Sequence, residues 1–232
     1  MKNFFAFNAK NNSTVNTSGF YIRGQNINLD KITIPPFMNV QSNFGNTITY
    51  NIGGENINVI LKSGFYTTIS DLISMVQTYL QASNPNFTVS IEDNTNLVTI
   101  TNTVTFSMTG SFIKNYLGFK IDPDGSTTTF TSIYSAKLYP FNGFGVKLSC
   151  INSTIQGFDQ KYQFILPSDL FSFSDNKNYS YNLQDYERIN TKNIFGNVLS
   201  SFDISVYVLF IDGISKLIDF QDLKILGILA II

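Results

Sequence analysis

Residues 64–81 read GFYTTISDLISMVQTYLQ, and the spacing of their apolar side chains decides how the rest of the chain is read. Ile69, Leu72, Ile73, Val76, Tyr79 and Leu80 recur at intervals of three, four and seven, which is one face of an amphipathic helix. Thr68 supplies an N-cap hydroxyl, Asp71 an acid in the first turn, and Asn84-Pro85 stops the helix not far beyond Gln81. The flanks alternate with a period of two. Ile57, Val59 and Leu61 precede the helix; Phe87, Val89 and Ile91 follow it and pair with Leu97, Val98 and Ile100 across an Asp93–Asn96 turn; Val104, Phe106 and Met108 alternate again. Phe112, Ile113, Tyr116, Leu117 and Phe119 predict a short apolar helical turn closed by Gly118. The result is an α+β module over residues 55–120, a strand-helix-hairpin unit that buries a face of its own.

This succession, with Gly64, Tyr66, Thr67, Leu72, Leu117, Gly118 and Phe119 as its marks, resembles a module of the penton and minor capsid proteins of virophages, Polinton-like viruses and related double-jelly-roll icosahedral DNA viruses. A second stretch agrees. The C-terminal run FDISVYVLFIDGISKLIDFQDLKILGILAII is similar to the closing strand pair of those proteins, with an Asp212-Gly213 turn and a last apolar strand. The resemblance implies a single jelly-roll protein of the virion, a penton forming homopentamers at the five-fold vertices of an icosahedral shell. Its implied partners are further copies of itself and the major capsid protein, and it would be made in the host cytoplasm or a virus factory.

Outside the module the chain predicts short strands separated by turns. Phe20–Arg23, Ile27–Leu29, Ile32–Ile34 before Pro35-Pro36, Thr47–Ile52 before Gly53-Gly54, Phe130–Leu138, Gly145–Ile151, Tyr162–Leu166, Tyr186–Ile194 and Phe202–Ile211 are the candidates. Eight strands suffice for a two-sheet jelly roll. The expected fold is therefore mainly β: a jelly-roll β-sandwich over 19–54 and 121–232, the α+β insertion over 55–120, and a flexible arm over 1–18, where Asn8–Ser18 is polar and aperiodic. Residues 223–232 are too short an apolar run to cross a bilayer and are expected as a terminal strand buried on both faces.

Composition narrows the function. Of the 232 residues only 13% are charged, against a usual ~25%, while 22 Phe and 12 Tyr dominate the apolar set. The net charge of −1, with scattered Lys and Arg, leaves no footprint for direct nucleic-acid binding. The absence of histidine removes Ser-His-Asp, Cys-His and His-metal chemistry, and Gly53-Gly54 lacks the Lys and hydroxyl of a phosphate loop. No catalytic, cofactor-binding or metal residue is assigned. Asp122-Pro123-Asp124-Gly125 has the start of a calcium loop without its closing Glu and reads as a turn; Glu92-Asp93 and Asp185 with Glu187 read as solvated acids rather than a glycosidase pair. The lone Cys150 is expected as a buried thiol in a strand.

Low charge with many aromatics describes an assembly protein, because subunit interfaces are enriched in aromatics and depleted of charge. Phe4, Phe5 and Phe7 are the candidate interaction residues, docking either on their own domain or on a neighbouring subunit. Alternative readings are a minor or cement protein beneath the major capsid shell, and a jelly-roll module that binds glycan or a host surface through loops such as Asp175–Asp185.

Overall fold

The computed structural model describes residues 3–17, 26–150, 155–157, 160–162, 164–167, 179–182, 192–193 and 201–231. The chain forms two compact units, one of Met1–Phe37 with Phe141–Ile232 and one of Met38–Pro140. In chain order the first unit begins with β1 (Asn3–Ala9), β2 (Ser13–Asn16) and β3 (Asn26–Ile34). The second holds β4 (Thr47–Ile52), β5 (Glu55–Ile60), α1 (Ile69–Ser83), β6 (Thr88–Ile91), β7 (Val98–Thr101), β8 (Ser107–Thr109), α2 (Ser111–Asn115) and β9 (Thr129–Thr131). The first unit then resumes with β10 (Phe141–Leu148), β11 (Ile155–Gly157), β12 (Gln160–Tyr162), β13 (Phe164–Pro167), β14 (Tyr179–Asn182), β15 (Lys192–Asn193), β16 (Ser201–Phe210), β17 (Ser215–Leu217) and β18 (Ile225–Ile231).

The first unit is a jelly roll by its strand order. One sheet runs β1-β18-β3-β14, with β15 also on β3; the other runs β13-β10-β16-β17, with β2 also on β16. β14 and β15 continue one another along β3, so they count as a single interrupted strand. Taking β1, β2, β3, β10, β13, β14/β15, β16 and β18 as first to eighth, the sheets read first-eighth-third-sixth and second-seventh-fourth-fifth, the order of a jelly roll. β17 forms a hairpin with β16 across Asp212-Gly213, as the sequence predicts. Aromatic rings join the two sheets: Phe7 of β1 meets Phe202 of β16 edge-on at 5.4 Å, and Phe37 meets Phe144 at 5.7 Å and Phe220 at 6.0 Å. Edge-on pairs of this kind add to the area they bury.

The stretch expected as a flexible arm is two strands: β1 pairs along its whole length with β18, and β2 pairs with Ser201–Ile204 of β16. Asn8, Thr14 and Asn16 lie on the solvent side while Phe7, Ala9 and Val15 are buried, so the alternation that sheets require was present in a polar stretch. Ile27–Leu29 and Ile32–Ile34 are one strand, with Asp30 bulged between the Leu29–Leu229 and Lys31–Ile228 pairs. The terminal strand β18 lies between β1 and β3 and is buried on one face only, since Ile225 and Leu229 are buried but Leu226 is 48% exposed. Cys150 is buried but sits in the turn just after β10. The Phe20–Arg23 strand and most of Tyr186–Ile194 lie outside the described residues.

The second unit is wider than the 55–120 module. β4, assigned from sequence to the jelly roll, is the middle strand of β5-β4-β8, and β9 joins β7 in the sheet β6-β7-β9. Of the expected 130–138 strand only 129–131 forms; Ser132 to Lys137 instead spend their amides and hydroxyls on the 95–98 hairpin and on Tyr116 and Gly118. Helix α1 begins as predicted, the Thr68 hydroxyl accepting the Asp71 N–H at 3.0 Å, and buries Leu72, Ile73, Val76 and Leu80. Each such side chain contributes about 1.5–3 kcal/mol when fully removed from water. A run of edge-on rings, Tyr50–Phe87 at 4.9 Å, Phe87–Phe106 at 5.2 Å and Phe106–Phe130 at 5.2 Å, links β4 to β9.

Asn39 ties the unit together at its ends. Its side chain is fully buried, donates to the carbonyls of Tyr66 and Leu138, and accepts the Tyr66 N–H at 2.9 Å; its own carbonyl accepts the Tyr116 hydroxyl. Burial raises the Tyr116 phenol well above its ordinary range, so it stays a donor at any physiological pH. At the close of α2 the left-handed Gly118 (φ +80°) brings the backbone against Tyr134, whose N–H donates to the Gly118 carbonyl.

Candidate interaction surface

Nothing among the described residues gathers three or more Cys, Asp, Glu or His side chains into a metal site. Asp122 pairs with Lys114 at 3.0 Å and accepts the Thr109 hydroxyl at 3.2 Å, so a cation already faces it. Asp124 accepts from Ser126, and these hydrogen bonds hold its exposed carboxyl below the usual range, as a turn-forming aspartate does. Glu92 likewise accepts the Thr95 hydroxyl at the β6–β7 hairpin. The Asp185 and Glu187 pair lies outside the described residues. No described helix is long and apolar enough to cross a membrane.

The three candidate phenylalanines divide by strand parity. Phe7 points into the sandwich: it is 6% exposed, meets Phe202, and lies so close over Gly227 that a Cβ there would come within 2.1 Å of its ring. Phe5 is half-buried, 6.3 Å from the same Phe202 ring. Phe4, on the other face of β1, is 56% exposed. The structure thus docks Phe7 on its own unit and leaves Phe4 of the three on the surface.

Around Phe4 the register of β1, β18 and β3 sets an outward face. Ala6 lies opposite Ile228 and Asn8 opposite Leu226, while Lys31 and Thr33 flank the same two residues from β3. Leu226 is 48% exposed and Ile228 half-buried, and Lys31 is the one charge among these positions. Beside this face, β1 and β2 diverge into opposite sheets and leave a cleft of about 550 Å³ lined by Phe5, Phe7, Val15, Lys10 and Lys224 among others. Lys10 pairs with Asp222 at 2.9 Å. At the far end of β16 the turn to β17 carries Ile211 and Ile214, 44% and 41% exposed, on either side of Asp212.

The second sheet has a different surface feature. The Lys147 ammonium stands 4.7 Å over the Tyr207 ring and 5.3 Å over that of Tyr162. Gly145 makes room for it, because a Cβ there would come within 2.4 Å of the Tyr162 ring. These exposed isoleucines and this cationic stack were not singled out from sequence; the signal for the former was Ile on both sides of an Asp-Gly turn, where polar residues are the rule.

No protein-family model and no curated protein sequence matches this chain. Among solved structures the chain is similar to the mavirus penton protein, at 9% identity and a TM-score of 0.49, covering 99% of both chains. It is also similar to a chain in the cryo-EM structure of the Sputnik virophage, at 10% identity and a TM-score of 0.44, covering 99% of this chain and 97% of that one.

Proposed function

We propose that this chain is a structural protein of an icosahedral virus capsid and that it occupies the penton position as a homopentamer. The observation that carries the reading is the order of elements: a complete eight-strand jelly roll into which one compact α+β unit enters between the third and fourth strands. That unit contains the stretch whose residues Gly64, Tyr66, Thr67, Leu72, Leu117, Gly118 and Phe119 resemble the penton and minor capsid module. The surface is consistent with assembly rather than catalysis: charge is sparse and apolar side chains stand exposed on a sheet face and a hairpin tip. Five copies in a ring need a heterologous contact, one surface on each copy meeting a different surface on the next. Each such contact is expected to bury more than about 1,000 Å² in total. The ring's outer partner on this reading is the major capsid protein, and the protein resides in the virion after synthesis in the host cytoplasm or a virus factory.

Particle images at side-chain resolution test the assignment. Density for this chain at the five-fold vertices supports it; another protein at the vertices, with this chain beneath the shell, replaces it with the cement-protein reading.

A further inference from the structure

We infer that the Ile211-Asp212-Gly213-Ile214 turn of one copy seats in the β1–β2 cleft of the next, with Asp212 paired to Lys224. This rests on the ring reading and names its contact.

The two surfaces complement each other in chemistry. The cleft of about 550 Å³ is lined by the half-buried Phe5, the buried Phe7 and Val15 and the polar Asn8, Ser13, Thr14 and Asn16, and among its lining residues there are two lysines and no carboxylate. Lys10 is engaged by Asp222, whereas Lys224 is exposed and has no carboxylate partner among the described residues. The turn offers the reverse: two exposed isoleucines about a carboxylate, on a hairpin held by the β16–β17 pairing. Its backbone is fixed, since Asp212 accepts the Ile214 N–H at 3.0 Å and Gly213 takes the left-handed conformation (φ +86°). A preorganised hairpin loses little freedom on docking.

Their placement makes the contact intermolecular. β2, the cleft wall, pairs with Ser201–Ile204 at the start of β16, and the turn follows its end. At about 3.3 Å per residue the cleft wall and the turn lie about 30 Å apart along that strand, so a chain cannot place its own turn in its own cleft. A hole near one end of a strand and a knob beyond the other let each copy engage a different neighbour at each site, the head-to-tail contact that a cyclic ring repeats; the same contact made reciprocally closes a two-fold dimer, and the length of the ladder below tells the two apart. The uncharged β1 (NFFAFNA), at the end of its sheet's strand order, carries none of the lysines or prolines that usually discourage a neighbour.

The test is the D212C/K224C double variant of the whole 232-residue chain, oxidised with copper–phenanthroline and run without reductant. Cys150 does not interfere, because it is buried. A covalent ladder ending at five copies is expected, with each single-cysteine variant staying monomeric and their mixture giving dimers. D212K should lower the assembled fraction at a given concentration at least tenfold, and D212K/K224D should restore it. An unlinked double variant, in protein whose native mass is nonetheless five-fold, overturns this contact and leaves the ring. A ladder that stops at two or three retains the contact and overturns the ring.

Discussion

The side-chain amide of Asn39 donates to the carbonyl of Leu138, 3.2 Å away and ninety-nine positions downstream. The same side chain makes a reciprocal pair with the backbone of Tyr66, so one buried residue holds the entry, the pre-helix loop and the exit of the second unit. Replacing Asn39 by Ala leaves these part-buried groups without their partner. Leaving buried backbone groups unpaired costs about 1–3 kcal/mol each, so a loss of about 3 kcal/mol is expected, read as a lower urea midpoint for the transition that reports this unit. An unfolding free energy within about 0.5 kcal/mol of wild type, the range of surface changes, contradicts the clamp.

Two left-handed glycines separate strain from collision. Gly213 and Gly118 have φ of +86° and +80°, but a Cβ on Gly213 meets nothing within 4 Å, whereas on Gly118 it would come within 1.9 Å of the Tyr134 carbonyl oxygen. Gly213→Ala should cost only the conformational penalty of about 1–2 kcal/mol. Gly118→Ala should exceed it by at least about 2 kcal/mol, because backbone must move. Thermal denaturation of the two variants gives the order, and equal losses would refute the close approach.

The N-terminal strand makes an unequal pair of predictions. Phe7→Ala removes a buried ring from between Gly227 and Phe202 and should cost about 3–5 kcal/mol. Phe4→Ala, at an exposed position, should stay within about 0.5 kcal/mol. Deleting residues 1–16 should unfold the jelly roll rather than trim it, since β18 and β16 lose a partner each. A soluble, cooperatively folding deletion would restore the idea of an arm.

Cys150 supplies a pH test. Burial pushes its thiol up from about 9 to about 12, because the thiolate is the form that desolvation penalises. A group raised in the folded state keeps its contribution below the unfolded value and loses it as pH rises toward the folded one. Stability should therefore fall between about pH 9 and 12 more steeply in wild type than in Cys150→Ala. Iodoacetamide at pH 8 should leave the native thiol unmodified and alkylate it promptly in urea; fast labelling of the native protein would contradict the burial.

What the sequence made legible was local. α1 announces itself because its period, cap and stop all lie within twenty residues, and the β6–β7 hairpin because its turn sits between two alternating runs. Strand partners are another matter: β4 alternates equally well beside β5 and β8 or in a jelly-roll sheet, and only tertiary pairing chooses between them. β1 and β2 were hidden because, Phe4 apart, the outward positions hold Ala6, Asn8, Thr14 and Asn16, which give no strong apolar alternation. Asn39 carries no local signal at all, since its partners at Tyr66, Tyr116 and Leu138 meet it only after folding. The surface cleft shares that property: its walls come from residues 5–16 and 224, and the sequence holds no mark that joins them.

The mass of the isolated 232-residue chain, by size exclusion with multi-angle light scattering across a concentration series, tests the central claim most directly. The penton reading predicts a species of five times the 26.0 kDa chain mass. A stable dimer or trimer as the largest species would contradict it.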